Sequence, residues 1–503
     1  MLQLRPPQLP TRPAAVALLL LFTALIACSP GGDRGRRGRG VLFIVIDSLR
    51  ADHLGSAGYD RETTPELDEL AQRGISFSQA FSAAPELIAS NAALLTGCDP
   101  YIVRLPLPEE PGFLSISQKW HLPDPAPSLA AEFLADGYAT AAFSDHGRFS
   151  KEHGFARGFE RFDPFQGGTL QDEIDFGAAS LGRRLLDWIR TLERKRDWFA
   201  YVTINDLERS LRLSDERWRT YFDPREELSE VPPISLAPRA FFAIPRRQWS
   251  GALLTVGEYE ASYDYHLRAL DAKLGRLVAL LESMGRLEET KICIVGSYGV
   301  GFGEAGLYLD HGSLADVDLA VPWILVPPTS SDLPRGLRTN TLASTTDIAP
   351  TLLEIAGIPV PAGTHGVSQV PALRPEGAAV REYVFSKGGL SEGFSVRDER
   401  YSYQATTHAM RGGAGLISSW YGTPKLPARS TRRHLRDRQS DAGPGDLAPS
   451  TSNPERAETL DAVGKEWFAW MEHARNALHD PPWLDPPVSA EVRAELVRRG
   501  LIP

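Results

Sequence analysis

The run Val41-Leu42-Phe43-Ile44-Val45-Ile46 limits most strongly what this chain can fold into. It is apolar at every position, rich in β-branched side chains, and it stops at Asp47. A strand with one wet face alternates polar and apolar residues, so an unbroken run predicts a strand buried on both faces of a parallel sheet. Such a strand needs helices to cover it. Thr64-Pro65-Glu66 supplies an N-cap, a proline at the first helical position and an acid in the first turn, and Leu67, Leu70 and Ala71 form an apolar stripe before Gly74 ends it. The same order recurs downstream. A helix over Ala126 to Ala135 precedes a strand at Thr140 to Ser144, and a helix over Phe176 to Leu192 precedes a strand at Trp198 to Ile204. A long amphipathic helix, Tyr259 to Met284, carries Leu267, Leu270, Leu274, Leu277 and Leu281 at helical spacing and precedes a strand at Ile292 to Val295.

This alternation predicts an α/β fold, a mixed, mostly parallel sheet with helices on both faces. Sites in such sheets lie beyond the carboxyl ends of the strands. Those ends carry Asp47-Ser48, Asn205-Asp206-Leu207-Glu208 and Ser297-Tyr298, so polar groups distant in sequence converge on one rim. Polar residues end most strands, so the pattern locates a place to look and no more. Tyr221 to Ser250, rich in proline and arginine without periodicity, reads as an insertion or lid over that rim. After Pro361 the pattern changes. Tyr383 to Phe385, Gly393 to Val396 and Arg400 to Tyr403 read as short antiparallel strands, and Leu460 to Leu478 reads as a closing helix with Val463, Trp467, Trp470, Met471 and Ala474 to bury. A smaller C-terminal α+β subdomain, residues 376–503, thus follows an α/β domain at 41–375. Gly443 to Asn453 reads as a loop by composition.

The first forty residues are organised differently. Arg5 and Arg12 precede an apolar run from Ala14 to Ala27, too short to span a bilayer comfortably, and Leu25-Ile26-Ala27-Cys28 looks like a lipobox. The reading is a lipoprotein signal peptide over 1–28, lipidation at Cys28, and a flexible tether over 29–40 with nothing apolar to bury. The chain is then lipid-anchored in a bacterial cell envelope, with the membrane as one partner, and Ser29 is compatible with the outer membrane. Lys plus Arg total 54 against 64 Asp plus Glu, a net charge of −10, and no basic run is long enough to follow a phosphate backbone, so nucleic acid is not an expected partner. Cys98 and Cys293 are expected as free thiols, Cys293 because it lies in an apolar strand-like run.

Several blocks together resemble the sulfatase family of the alkaline-phosphatase-like superfamily. Asp47-Ser48-Leu49-Arg50-Ala51-Asp52-His53-Leu54-Gly55, Gly58-Tyr59 and Thr64-Pro65 are similar to the family's opening strand and helix, and Leu94-Leu95-Thr96-Gly97 to the end of its nucleophile motif. Gly137 to Phe143, Gly303-Glu304, His311-Gly312-Ser313-Leu314, Val321-Pro322, Asp347 to Leu353, Ala356 to Pro359 and the ending Leu496 to Ile502 follow in the family's order. The resemblance implies ester hydrolysis: a formylglycine made from Cys or Ser attacks the sulfate, a divalent cation such as calcium polarises it, and Lys, His and Arg offset its charge.

Position by position the sequence departs from that pattern. Counting back from Leu94 puts Leu87 at the nucleophile, Ala89 at the motif's proline and Asn91 at its arginine, and leucine cannot become formylglycine. Ser90 survives in a flanking place, where a helix-start hydroxyl ordinarily bonds backbone. The resemblance makes Asp47 a retained cation ligand and puts Ser48, Ser297 and Tyr298 at former ligand positions. Glu208 stands where a sulfate-facing histidine belongs, and Ala305 replaces another. His311 is retained. Asp145-His146-Gly147 has the letters of a metal motif but follows the wrong strand, so it reads as a loop. The expectation is a catalytically degenerate pseudo-sulfatase whose old cleft serves a carbohydrate or protein ligand. The alternative is an active metal-dependent sulfuric or phosphoric ester hydrolase with a rebuilt centre: Asp47, Asp52, Asp206, Glu208 and Asp310 as oxygen ligands, Ser90 as nucleophile, His311 as acid or base. A cofactor, calcium or another divalent cation, belongs only to the second.

Overall fold

β1 (Gly40–Ile46) lies inside the sheet with every residue buried, as its unbroken apolar run requires. The computed structural model describes residues 38–103, 105–106, 120–124, 126–164, 178–210, 219–235, 243–246, 248–250, 253–388, 392–407, 431–439 and 453–477. The signal peptide, Cys28, the tether as far as residue 37, nearly all of Gly443 to Asn453 and the ending at Leu496 to Ile502 lie outside them, and the Tyr221 to Ser250 insertion lies partly outside.

Seven more strands complete the central sheet: β2 (Ile75–Phe77), β3 (Ala139–Ser144), β4 (Arg161–Asp163), β5 (Trp198–Ile204), β6 (Thr290–Gly296), β7 (Trp323–Val326) and β8 (Leu337–Thr339), in the spatial order β8-β2-β7-β6-β1-β5-β3-β4. Only β7 runs against the others. Side chains alternate between the faces, so Val41, Phe43 and Val45 enter one core and Leu42, Ile44 and Ile46 the other.

The helices divide between those two cores. α1 (Pro65–Arg73), α4 (Ala178–Thr191) and α5 (Val256–Ser283) cover one face, and α2 (Leu87–Thr96), α3 (Leu129–Ala135) and α6 (Ile348–Ala356) the other. All five leucines expected on the buried stripe of α5 are buried. Helix ends differ from expectation where a cap decides them. α3 starts at Leu129 because Ser128 accepts a bond from Ala131 N at 3.3 Å, so Ala126 and Pro127 lie before it. At α1 the expected Thr64 cap is absent; Asp271 of α5 accepts from Glu66 N at 2.9 Å and Leu67 N at 2.8 Å instead. A carboxylate from a distant helix satisfies the amides that the local hydroxyl was expected to serve.

The C-terminal part is an antiparallel sheet, β9 (Val384–Lys387), β10 (Glu392–Arg397), β11 (Tyr401–Thr407) and β12 (Thr431–Asp437), covered by α7 (Pro454–Ala477). Trp467 of α7 stacks on Phe385 of β9 with ring centres 4.9 Å apart. α7 begins well before Leu460, because Asn453 caps it by accepting from Arg456 N at 3.2 Å and Pro454 opens it. Cys98 and Cys293 are free and buried, as expected.

Candidate functional site

The site is set by register. Ile46 pairs with Gly296 on one side and Ile204 on the other, so Asp47, Ser297 and Asn205 leave three adjacent strands at one level. Asp47 is fully buried, and Ser297 donates its hydroxyl to Asp47 Oδ1 at 2.5 Å. Asp47 Oδ2 is buried with no hydrogen-bond partner among the described residues. Burial, reinforced by the charges of Glu208 and Asp145, pushes the Asp47 carboxyl well above the usual range, although the Ser297 bond pulls it down. Ser48 turns with a φ of 58°, and its carbonyl accepts from Tyr263 at 2.8 Å. The left-handed backbone here belongs to a non-glycine residue, which costs strain that the Tyr263 contact holds in place.

α2 approaches from the opposite face of the sheet and is buried on every side. A helix buried all round belongs inside a core, and Leu87, which the motif count set at the nucleophile position, packs there. Ser90 donates to the carbonyl of Ser297 at 2.8 Å, and Ser82 donates to that same carbonyl at 2.6 Å. The Ser90 hydroxyl thus holds backbone. Asn91 donates to Leu87 O at 2.8 Å and accepts from Tyr201 OH at 2.7 Å, so its amide serves structural contacts where an arginine was expected to face an anion.

Tyr298 is fully buried. Its ring lies 4.3 Å from that of His311, and its hydroxyl donates to Glu208 Oε2 at 3.4 Å. His311 Nδ1 donates to Pro85 O at 2.6 Å, which fixes the proton on that nitrogen because a carbonyl only accepts. Tyrosine therefore takes the space between His311 and Glu208.

The remaining oxygen-ligand candidates of the active-hydrolase alternative are dispersed. Asp206 pairs with Lys273 of α5 at 2.8 Å. Asp52 pairs with Arg50 at 2.7 Å, and Arg50 also holds Glu304 at 2.8 Å; the guanidinium keeps the Asp52 carboxyl well below its ordinary value although burial opposes it. Asp310 accepts from His311 N at 2.9 Å. A divalent cation of the hard, oxygen-loving kind needs several converging donors. Ser297 caps the one retained carboxylate, a buried tyrosine follows it, and among the described residues no group of three or more His, Cys, Asp or Glu side chains is arranged to hold an ion. The donor set does not fit the family's cation.

One reading changes. Asp145 is in a loop, as expected, yet it belongs to this rim: it is buried, accepts from Asn205 N at 2.9 Å, and its charge acts on Asp47. Its place follows from the β3–β5 register, which pairs Ser144 with Thr203. Ser82 and Tyr201 carried no sequence signal, because each matters through a partner more than a hundred residues away.

Comparison with known proteins places this geometry. The chain is 24% identical over 412 residues to a Delta 4,5-hexuronate-2-O-sulfatase of Bacteroides thetaiotaomicron, covering 74% of this chain and 80% of that one. It is 25% identical over 399 residues to an ulvan-active sulfatase of Formosa agariphila, covering 73% of each. Its fold is shared with a phosphonate monoester hydrolase from Silicibacter pomeroyi, with a TM-score of 0.63, 19% identity, and coverage of 88% of this chain and 96% of that one. A 2-O GAG sulfatase superposes with a TM-score of 0.62 at 19% identity over 88% of this chain and 94% of the other. The Sulfatase family model matches residues 39–358, and the chain belongs to the sulfatase family, on an alkaline-phosphatase-like fold.

Proposed function

We propose that this chain is a catalytically silent sulfatase, exported and held in the cell envelope by a lipid on Cys28, and that it works by binding a carbohydrate or a partner protein. The observation that carries the reading is Leu87, packed in the core where the nucleophile belongs. Two further features support it. Asp47 Oδ1 is taken up by the Ser297 hydroxyl, and Tyr298 fills the gap between His311 and Glu208. Losing nucleophile, anion clamp and cation site together removes each contribution that metal-assisted ester hydrolysis requires.

The test is direct. The purified protein is assayed with aryl sulfates, phosphate monoesters and phosphonate monoesters in calcium, magnesium or manganese, and bound metal is counted by elemental analysis. Turnover no greater than in Asp47→Ala, with metal far below one per chain, is expected. Near-stoichiometric metal that disappears in Asp47→Ala, together with turnover, would overturn the reading and restore the rebuilt hydrolase. Anchoring is tested separately: Cys28→Ser should move the protein from the membrane fraction to the soluble one, and an unchanged distribution would rule out the lipid.

A further inference from the structure

A second polar concavity lies away from the rim. It is a groove of about 370 Å³ between the segment after β1, the edge of the central sheet and the last strand of the C-terminal sheet. Three arginines line it. Arg338 is on edge strand β8, exposed, and makes no ion pair or side-chain hydrogen bond among the described residues. It is in register with Ser76, which also lines the groove.

Arg436 and Arg438 come from β12 and the residue following it. Arg436 bonds Asp316 at 2.6 Å, but that carboxylate is already shared with the buried Arg397 at 2.8 Å and with Ser402. One carboxylate is divided between two guanidiniums. Arg438 donates to Gln79 Oε1 at 3.0 Å and to the Asp398 carbonyl, neither of which carries charge, and lies over the Phe81 ring. Its Nε is buried and has no hydrogen-bond partner among the described residues, so its guanidinium meets only neutral acceptors there. The nearby carboxylate of Asp398 is bound to Arg456. On the opposite wall, Asp52 pairs with Arg50, which it shares with Glu304.

The groove thus brings three guanidiniums, that of Arg338 without an ion pair among the described residues, beside the paired carboxylates of Asp52 and Asp316, in a chain whose net charge is −10. Ser56, Ser76, Ser78 and Gln79 line the groove as well, and hydroxyl-bearing side chains suit a ligand dense in hydroxyl groups.

We infer that this groove binds an acidic saccharide, with Arg338 on one side and Arg436 and Arg438 on the other taking its carboxylate or sulfate groups. Guanidinium suits either, because its planar fork matches two oxygens of the same group. The inference stands whether or not the old centre is silent, since it uses none of that centre's residues.

The test is titration of the full chain with three probes at low and high salt: a sulfated dextran oligosaccharide, an oligogalacturonate and a neutral dextran oligosaccharide. The two acidic probes should bind at low salt and weaken as salt rises, and the neutral one should not bind. Binding of only one acidic probe would support the groove and identify its group. Arg338→Glu, on an exposed side chain, should keep the wild-type melting temperature and lose affinity at least about tenfold, because it reverses a charge on the ligand's path. Arg438→Gln should weaken binding as well, with its melting temperature measured alongside. Equal affinity of Arg338→Glu and wild type, equal binding of neutral dextran, or no binding of either acidic probe would overturn the assignment.

Discussion

Ser297 on the end of β6 and Asp47 on the end of β1 share a hydrogen bond of 2.5 Å, across a gap that in an active sulfatase is expected to hold a cation between oxygen donors. The bond gives the buried carboxyl a neutral partner, and burial then favours its protonated form.

Returning donors to that gap should return cation dependence. The double variant Ser297→Asp, Tyr298→Asn places a second carboxylate and an amide beside Asp47 while vacating the tyrosine's space. In chelator it should melt below wild type, because two buried carboxylates repel. Calcium at a hundredfold excess over its dissociation constant adds about 2.7 kcal/mol, a gain of several degrees. Wild type should not move with calcium. Calorimetry with and without the ion checks both, and an equal shift in wild type would refute the substitution account.

Asn91 should prove structural. Asn91→Ala strands the buried Tyr201 hydroxyl, at a cost of about 1–3 kcal/mol in urea unfolding. In a Tyr201→Phe background the same change should cost much less, since no hydroxyl is left unpaired. Equal costs in the two backgrounds would show that the bond carries no coupling.

The buried Asp318 should withdraw stability as pH rises from about 4 to about 7, against His365, which burial lowers to about 4 and which adds stability over the same range. Burial pushes the Asp318 carboxyl up to about 7, against bonds from Ser313 N and Gly312 N that pull it down. A carboxyl whose folded value is raised binds its proton more tightly when folded. Its contribution is therefore complete below its ordinary value of 3.8 and is lost as pH climbs through the folded one. Burial raises Asp271 to about 6, so it adds in the lower part of the same window. Across that range the melting temperature of Asp318→Asn should rise more, or fall less, with pH than that of wild type; an unchanged slope in the variant would remove Asp318 as a contributor.

The Asp316 cluster should be the most sensitive link to the C-terminal sheet. Asp316 is buried, and Arg397, Arg436 and Ser402 all converge on it. Asp316→Ala leaves the buried Arg397 without its counter-charge, a loss of about 3–5 kcal/mol. Replacing Asp316 and Arg397 together by Leu and Met should recover part of it. Chemical denaturation of the three proteins decides the point.

The sequence by itself determined the layered fold. Unbroken apolar runs such as Val41 to Ile46 have only one way to leave water on both faces, and the leucine stripe from Leu267 to Leu281 has one face to bury. It also marked the positions that depart from the family's motif, because a leucine at position 87 is legible in the side chain alone. Helix starts were less legible where the amides are satisfied from afar, as at α1, whose cap comes from Asp271. Tertiary structure alone decided what the altered residues do instead. Strand register brought Asp145 to the rim, backbone carbonyls took up Ser90, and the C-terminal sheet carried Arg436 and Arg438 to a groove shared with Arg338. Those contacts join residues far apart in the chain, and their strength depends on burial and partner geometry that no local pattern records.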